Sequence, residues 1–156
     1  VIMSFKTWFI AKIRYEKTME NGMQKKVTES YLVDALSFTE AEARIVEEMT
    51  PFIQGEFMVT DLKRGNISEL FSSEADKDDR WYKIKVAFAT LDEKSGKERK
   101  SYSYMLVQNS DTASAEKMLH ERMKETLSNY EVLKVEETSI MDVFPYALDP
   151  ETDETR

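Results

Sequence analysis

The chain contains no cysteine. That absence closes three routes together: a disulfide framework, a thiolate zinc site and a cysteine nucleophile. It fits a reducing compartment, and a cytoplasmic location is the expectation. The four glycines, Gly22, Gly55, Gly65 and Gly96, are scattered singly, so no phosphate-cradling loop of P-loop or dinucleotide type is present. No GxSxG elbow occurs either. No run approaches the ~20 apolar residues of a membrane span. The opening VIMSFKTWFIAKIRY lacks an uninterrupted apolar region and passes straight into a strand pattern, so neither a signal peptide nor a membrane partner is expected.

What is present suffices for a core. A chain of 156 residues can bury about two thirds of its unfolded surface, so folding requires no metal or disulfide staple. The net charge of −8 is unevenly placed. Lys6 to Tyr31 carry six basic and three acidic side chains, and Arg80 to Tyr104 carry seven and three. These two stretches are basic islands in an acidic protein, and local potential of that kind steers partners.

The islands belong to an internal repeat. WFIAKIRY, Trp8 to Tyr15, returns as WYKIKVAF, Trp81 to Phe88. Gly22 and Lys26 match Gly96 and Lys100 after a slip of one residue. YLVDALSFTEAEARI then matches MLVQNSDTASAEKML, and ISELF (Ile67 to Phe71) matches IMDVF (Ile140 to Phe144). Four landmarks in the same order indicate a duplication. Each copy reads strand, strand, helix, strand. Alternation puts Phe9, Ala11, Ile13 and Tyr15 on one face, and Tyr82, Ile84, Val86 and Phe88 likewise. ENG and KSG are hairpin turns with glycine at positive φ. Ser37 with Glu40 has capping-box spacing, and Asp111 or Thr112 caps the second helix. Phe38, Ala41, Ile45, Met49 and Phe52 form one helical stripe; Ala115, Met118, Leu119, Met123 and Leu127 form the other. Pro51 ends the first helix.

The expected fold is α+β: two tandem ββαβ repeats with pseudo-two-fold symmetry, six mainly antiparallel strands, and two helices on one face. One duplicated domain spans residues 1–146, with repeat one at about 6–71 and repeat two at about 80–146, sharing one continuous core. The polar run SSEADKDDR, Ser72 to Arg80, reads as the joint between halves, and 147–156 as an acidic disordered tail.

If the apolar face meets the helices, Trp8, Lys12 and Arg14 point the other way, as do Trp81, Lys83 and Lys85. The neighbouring strands add Lys26, Thr28, Lys100, Tyr102 and Tyr104. An aromatic and basic open sheet suits single-stranded DNA or RNA, because rings stack on unpaired bases while lysines track phosphates. Trp8, Lys12, Arg14, Trp81, Lys83, Lys85, Lys100 and Tyr102 are therefore the candidate contacts. The ordinary alternative is closure of the core edge by the tryptophans with lysine stems laid over them. A protein partner or a homodimer, through this face or an exposed third-strand edge, is the other binding reading.

Catalytic constellations are missing. His120 has Glu116 one turn before it, but two ligands make a poor metal site, and HERMK lacks the second histidine of the zinc-protease motif. Asp61 with Glu69, or Glu136 with Asp142, are carboxylate pairs with nothing distinctive in their spacing. No catalytic residue, metal or cofactor is expected.

At YLVDALSFTEAEARIVEEMTPFI and IMDVFPY the chain resembles a family of uncharacterised small proteins encoded by gut Bacteroidetes and by phages that infect them. The likeness runs nearly to Tyr146. Its motifs are structural, a strand entering a capped helix and a closing strand, so the resemblance transfers no ligand or catalytic residues. It implies a phage or mobile-element setting, in which small replication accessories and adaptors are common.

Overall fold

The alternating runs around Trp8 and Trp81 form long strands because β-branched and aromatic residues occupy one pleat face while polar residues occupy the other. The structure, a computed structural model, describes residues 7–126 and 129–145. The acidic tail 147–156 and Leu127 lie outside them. In chain order the elements are β1 (Thr7–Thr18), β2 (Gln24–Ala35), α1 (Phe38–Met49), β3 (Phe57–Arg64), β4 (Glu69–Phe71), β5 (Arg80–Leu91), β6 (Glu98–Asn109), α2 (Thr112–Arg122), β7 (Tyr130–Glu137) and β8 (Ile140–Phe144).

The class is α+β as expected, but the described residues form eight strands in two four-stranded sheets, not six. Their orders are β3-β1-β2-β8 and β4-β6-β5-β7. Each sheet carries one helix, α1 against β1, β2 and β3 and α2 against β5, β6 and β7. Two cores form instead of one. Phe9, Ala11, Ile13, Tyr31 and Val33 gather beneath Ala41, Ile45 and Met49. Tyr82, Ile84, Val86, Met105 and Val107 gather beneath Ala115, Leu119 and Met123. Each fully buried aliphatic or aromatic side chain here contributes roughly 1.5–3 kcal/mol.

Local chemistry sets the element ends. The Ser37 hydroxyl accepts from the Glu40 amide at 3.1 Å while the Glu40 carboxylate accepts from Leu36 N–H at 2.9 Å. Asp111 caps α2 by accepting from Ser114 N–H at 2.7 Å. Gly22 and Gly96 sit at φ 83° and 70° in the two hairpin turns, a region where a Cβ is costly. Helix α1 ends at Met49, just before Pro51, which has no amide hydrogen to continue it. Phe52 consequently leaves the stripe and is exposed, and Ile53 takes the buried place.

The division of the chain is the main departure from the sequence reading. One unit comprises residues 1–65 with 140–156, the other 66–139. The polar run Ser72 to Arg80 is therefore part of the second unit and not a joint. The closing strands have changed places. β4 follows repeat one but lies parallel to β6 of the second unit, with Leu70 opposite Leu106. β8 follows repeat two but lies parallel to β2 of the first, with Val143 opposite Leu32. Leu32 and Leu106 are matching positions of the repeat, so the exchange is reciprocal and in the same register.

An arginine holds each exchanged strand at its end. Arg44 of α1 donates to the carbonyl of Pro145, just after β8, at 3.2 Å, and to Asp34 O. Arg122 of α2 donates to the carbonyl of Ser72, just after β4, at 2.9 Å, and lies 5.6 Å from the Phe71 ring centroid. The two arginines occupy different helical positions yet reach equivalent carbonyls. The stacking of Phe144 on Tyr31, with centroids 5.8 Å apart, completes the first contact.

Two outcomes test this account. A chain ending at Ser139 loses β8 and should lose amide protection in β1 to β3 while β5 to β7 keep theirs; uniform loss by hydrogen exchange would contradict independent sheets. Asp111 accepts the Ser114 backbone N–H, which holds its pKa below the usual carboxylate range. A depressed folded pKa adds stability above the ordinary carboxylate pKa, and that contribution disappears as pH falls through the folded value. Asp111→Ala should thus lower the melting temperature at neutral pH and make little difference in strong acid.

Candidate functional site

Cross-strand register fixes what each helix-free face presents. In the first unit β1 pairs with β2 so that Trp8 faces Asp34, Ile10 faces Leu32, Lys12 faces Ser30 and Arg14 faces Thr28. On the other side β3 sets Asp61 beside Lys12 and Met58 beside Arg14. Trp8 is half-buried, whereas Lys12, Arg14 and Lys26 are exposed. Near the crossover, Gly65 covers the sheet: its N–H donates to Trp8 O at 2.6 Å, and a Cβ there would meet Ile10 and Leu32 at 3.4 Å.

In the second unit Trp81 faces Gln108, Lys83 faces Leu106, Lys85 faces Tyr104 and Ala87 faces Tyr102. Trp81 retains only 4% exposure, so its ring is not presented to a base. Lys83 Nζ sits 4.5 Å from the Tyr104 ring centroid, and Lys85 Nζ sits 4.8 Å from that of Tyr102. Lys83 also lies opposite Glu136 of β7. These half-buried lysines are already engaged, and leaving a ring costs each about 1 kcal/mol. Lys100 is exposed, and Tyr102 keeps 56% exposure.

The eight candidates thus divide. Trp81 is buried, and Trp8, Lys83 and Lys85 are partly covered. Lys12, Arg14 and Lys100 are exposed, and Tyr102 is exposed with Lys85 against its ring. Both faces become open toward the hairpin end, where each unit has a shallow cleft at the same place in the repeat. Arg14, Lys26, Gln24, Gln54, Phe57 and Met58 line the first, of about 730 Å³, together with Glu16, which lies opposite Lys26, and Glu56. Lys100, Glu98, Asn129, Tyr130 and Glu131 line the second, of about 300 Å³. Arg14 corresponds to Ala87, Gln24 to Glu98 and Met58 to Glu131, so the first cleft is the more basic.

The sequence reading missed one polar cluster outright and, in a second, named the Glu116 and His120 pair but not its third member, Tyr130. Tyr15 and Tyr31 both donate to Glu29 Oε1, at 2.9 and 3.0 Å. Burial first, then the hydrogen bond and charge of Glu29, raise both phenol pKa values above the ordinary one. In the second unit His120 Nε2 lies 3.2 Å from Glu116, and Nδ1 lies 2.7 Å from the Tyr130 hydroxyl. A carboxylate only accepts, so it fixes the ring proton on Nε2 and leaves Nδ1 to accept from Tyr130. Alternation alone places these residues on a face but does not say that their tips converge.

Among the described residues no group of three or more histidine, aspartate or glutamate side chains could hold a metal ion. The carboxylate pairs do not form as pairs within a sheet: Asp61 and Asp142 belong to the first unit, Glu69 and Glu136 to the second. No described helix is long and apolar enough to cross a membrane.

The two tryptophans report on this geometry. With Trp8→Phe the remaining emission should resist acrylamide, because it comes from buried Trp81. With Trp81→Phe the remaining emission should be quenched more readily. Equal quenching would overturn the assigned burial.

No functionally curated protein matches the chain. Residues 7–146 match a family described as a domain of unknown function, DUF4494, and the chain belongs to that family.

Proposed function

We propose that this is a non-enzymatic binding protein that takes single-stranded DNA or RNA at the hairpin ends of its helix-free sheet faces. The observation that carries the reading is the free cationic set Lys12, Arg14 and Lys26 beside the larger cleft, with Lys100 and exposed Tyr102 at the matching place in the second unit. Guanidinium and ammonium groups meet phosphates, while Tyr102 offers a ring for one base.

Two linked sites of modest strength gain from effective concentration, which suits a duplicated scaffold. The net charge of −8 opposes long-range attraction, so binding is weak and sensitive to salt. A small accessory in a phage or mobile-element setting, the role suggested by the family resemblance, requires this kind of sequence-tolerant contact. Trp81 is excluded from the contact set because a buried ring has no face to stack.

The test is fluorescence anisotropy of labelled single-stranded oligonucleotides at about 50 and about 200 mM salt, where a few phosphate contacts change affinity by at least about tenfold. Arg14→Glu with Lys26→Glu should weaken binding by about tenfold or more, and Tyr102→Ala by a smaller factor. Trp81→Phe should leave it unchanged. Absence of binding at the lower salt would end this reading.

A further inference from the structure

In the first unit β3 is an edge strand: among the described residues its only strand neighbour is β1. Its outer side carries peptide groups that another strand can take up. The strand is irregular at its centre. Lys12 of β1 lies opposite Asp61 while Ile13 lies opposite Val59, so Thr60 is an extra residue. It shifts the alternation of faces by one position. Phe57 and Val59 before it and Leu62 after it pack against the helix-side core, and Arg64 lies over the Phe9 and Phe38 rings on that same side. Met58 and Lys63 fall on the other face and are exposed.

This pattern reads alike from both ends. A two-fold axis perpendicular to the sheet, passing between Thr60 and Asp61, brings a second β3 alongside in antiparallel sense. Rotation about such an axis leaves the helix side of both sheets facing the same way. Phe57 then lies opposite Arg64 and Val59 opposite Leu62 on the helix side, while Met58 lies opposite Lys63 on the other. Each pair occurs twice. Without the extra residue this register would oppose side chains from different faces. A bulge ordinarily spoils an edge for a regular partner, but here both strands carry it at the axis and the pleat resumes in phase.

The equivalent edge of the second unit lacks this complementarity. The same operation on β7 sets Glu131 opposite Glu136 twice, and like charges directly opposite are destabilising. The surroundings differ as well. Arg44 of α1 reaches the Pro145 carbonyl beyond β8, so Val46, on the opposite flank of the helix, lies toward β3. Val46, Phe38 and Met58 are exposed apolar side chains. Their counterparts His120, Thr112 and Glu131 are polar.

We propose that two copies of the chain associate through β3 in this antiparallel register. The contact joins two four-stranded sheets into one continuous sheet with both α1 helices on the same side. It is isologous, so assembly stops at the dimer. Backbone pairing and the Val59–Leu62 contacts carry it, and charge contributes little. Asp61 lies diagonal to its own symmetry mate near the axis, each beside Lys12 of its own β1. Met58 also lines the larger cleft, but association is measured without nucleic acid, so failure here and failure of the nucleic-acid reading are distinguishable.

The experiment is sedimentation of the full chain over a concentration series, at about 50 and about 500 mM salt. A monomer–dimer equilibrium with no larger species, little changed by salt, is expected. Met58→Lys sets a lysine opposite Lys63 of the mate at two places and should weaken the dimer several-fold. Adding Lys63→Glu should restore it, because each new lysine then opposes a carboxylate. Glu136→Lys with Glu137→Lys, on β7, should leave it unchanged. Hydrogen exchange should show β3 amides gaining protection as concentration rises while those of β7 do not. A native chain that stays monomeric throughout would overturn the proposal. So would species larger than a dimer, since β3 added to β7 leaves an open edge at each end, or a dimer indifferent to Met58→Lys. Circular dichroism checks the fold of each variant, which Met58, at 61% exposure, should leave intact.

Discussion

The parallel pairing of β8 on β2, and of β4 on β6, is the contact on which both sheets depend. Without it β2 and β6 would themselves be edges, with unpaired backbone groups beside residues such as Leu32 and Leu106 that are fully buried. Because the closing strands are exchanged, each repeat supplies a wall of the other's unit. Covalent continuity then links two cores that are otherwise separate clusters. The clamps by Arg44 and Arg122 show how localised the requirement is. Two helices with different surfaces reach the same carbonyl by different residues, since the strand end needs a donor there and not a particular helical position.

A duplicated backbone has not produced duplicated surfaces. On the helix-free faces Ile10, Arg14, Thr28 and Ser30 of the first unit correspond to Lys83, Ala87, Tyr102 and Tyr104 of the second. Cations stand free in the first and lie on tyrosine rings in the second, which is why the hairpin end of the first unit is the stronger candidate for anionic ligands. The same divergence runs through the helix sides, where Val46 and Phe57 correspond to His120 and Tyr130. An apolar pair of positions has become a hydrogen-bonded one, held by Glu116. Core positions tolerate little change because packing is dense, whereas faces outside the helix contact are free to differ.

Local rules were enough for the strands, hairpins, caps and helix stripes. Gly22 and Gly96 turn where the sequence places them, Ser37 and Asp111 cap, and Ala41, Ile45, Ala115 and Leu119 are buried as their spacing requires. Each of those depends on neighbours within a few residues. The site was less legible. Alternation correctly assigned Trp8, Lys12, Arg14, Trp81, Lys83 and Lys85 to the face away from the helices, but it could not separate buried from open. Trp81 is enclosed, Lys83 and Lys85 lie on rings, and Arg14 and Lys100 stand clear, although all occupy the same side of the pleat. The joint was placed at Ser72 to Arg80 because that run is polar; polarity marks solvent exposure and not the end of a unit.

By itself the sequence determined the α+β class and the two faces of each strand, since periodicity and turn chemistry act over short spans and survive in any arrangement of the chain. Only the tertiary structure decided which strand completes which sheet. ISELF and IMDVF are similar, and either is able to pair with β2 or β6 on local grounds. The choice rests on contacts far apart in the chain: Phe144 on Tyr31, Phe71 near Arg122, and the carbonyls of Pro145 and Ser72 within reach of their arginines. Those contacts exist only once the strands have crossed, because the energy that selects them comes from side chains brought together by the fold.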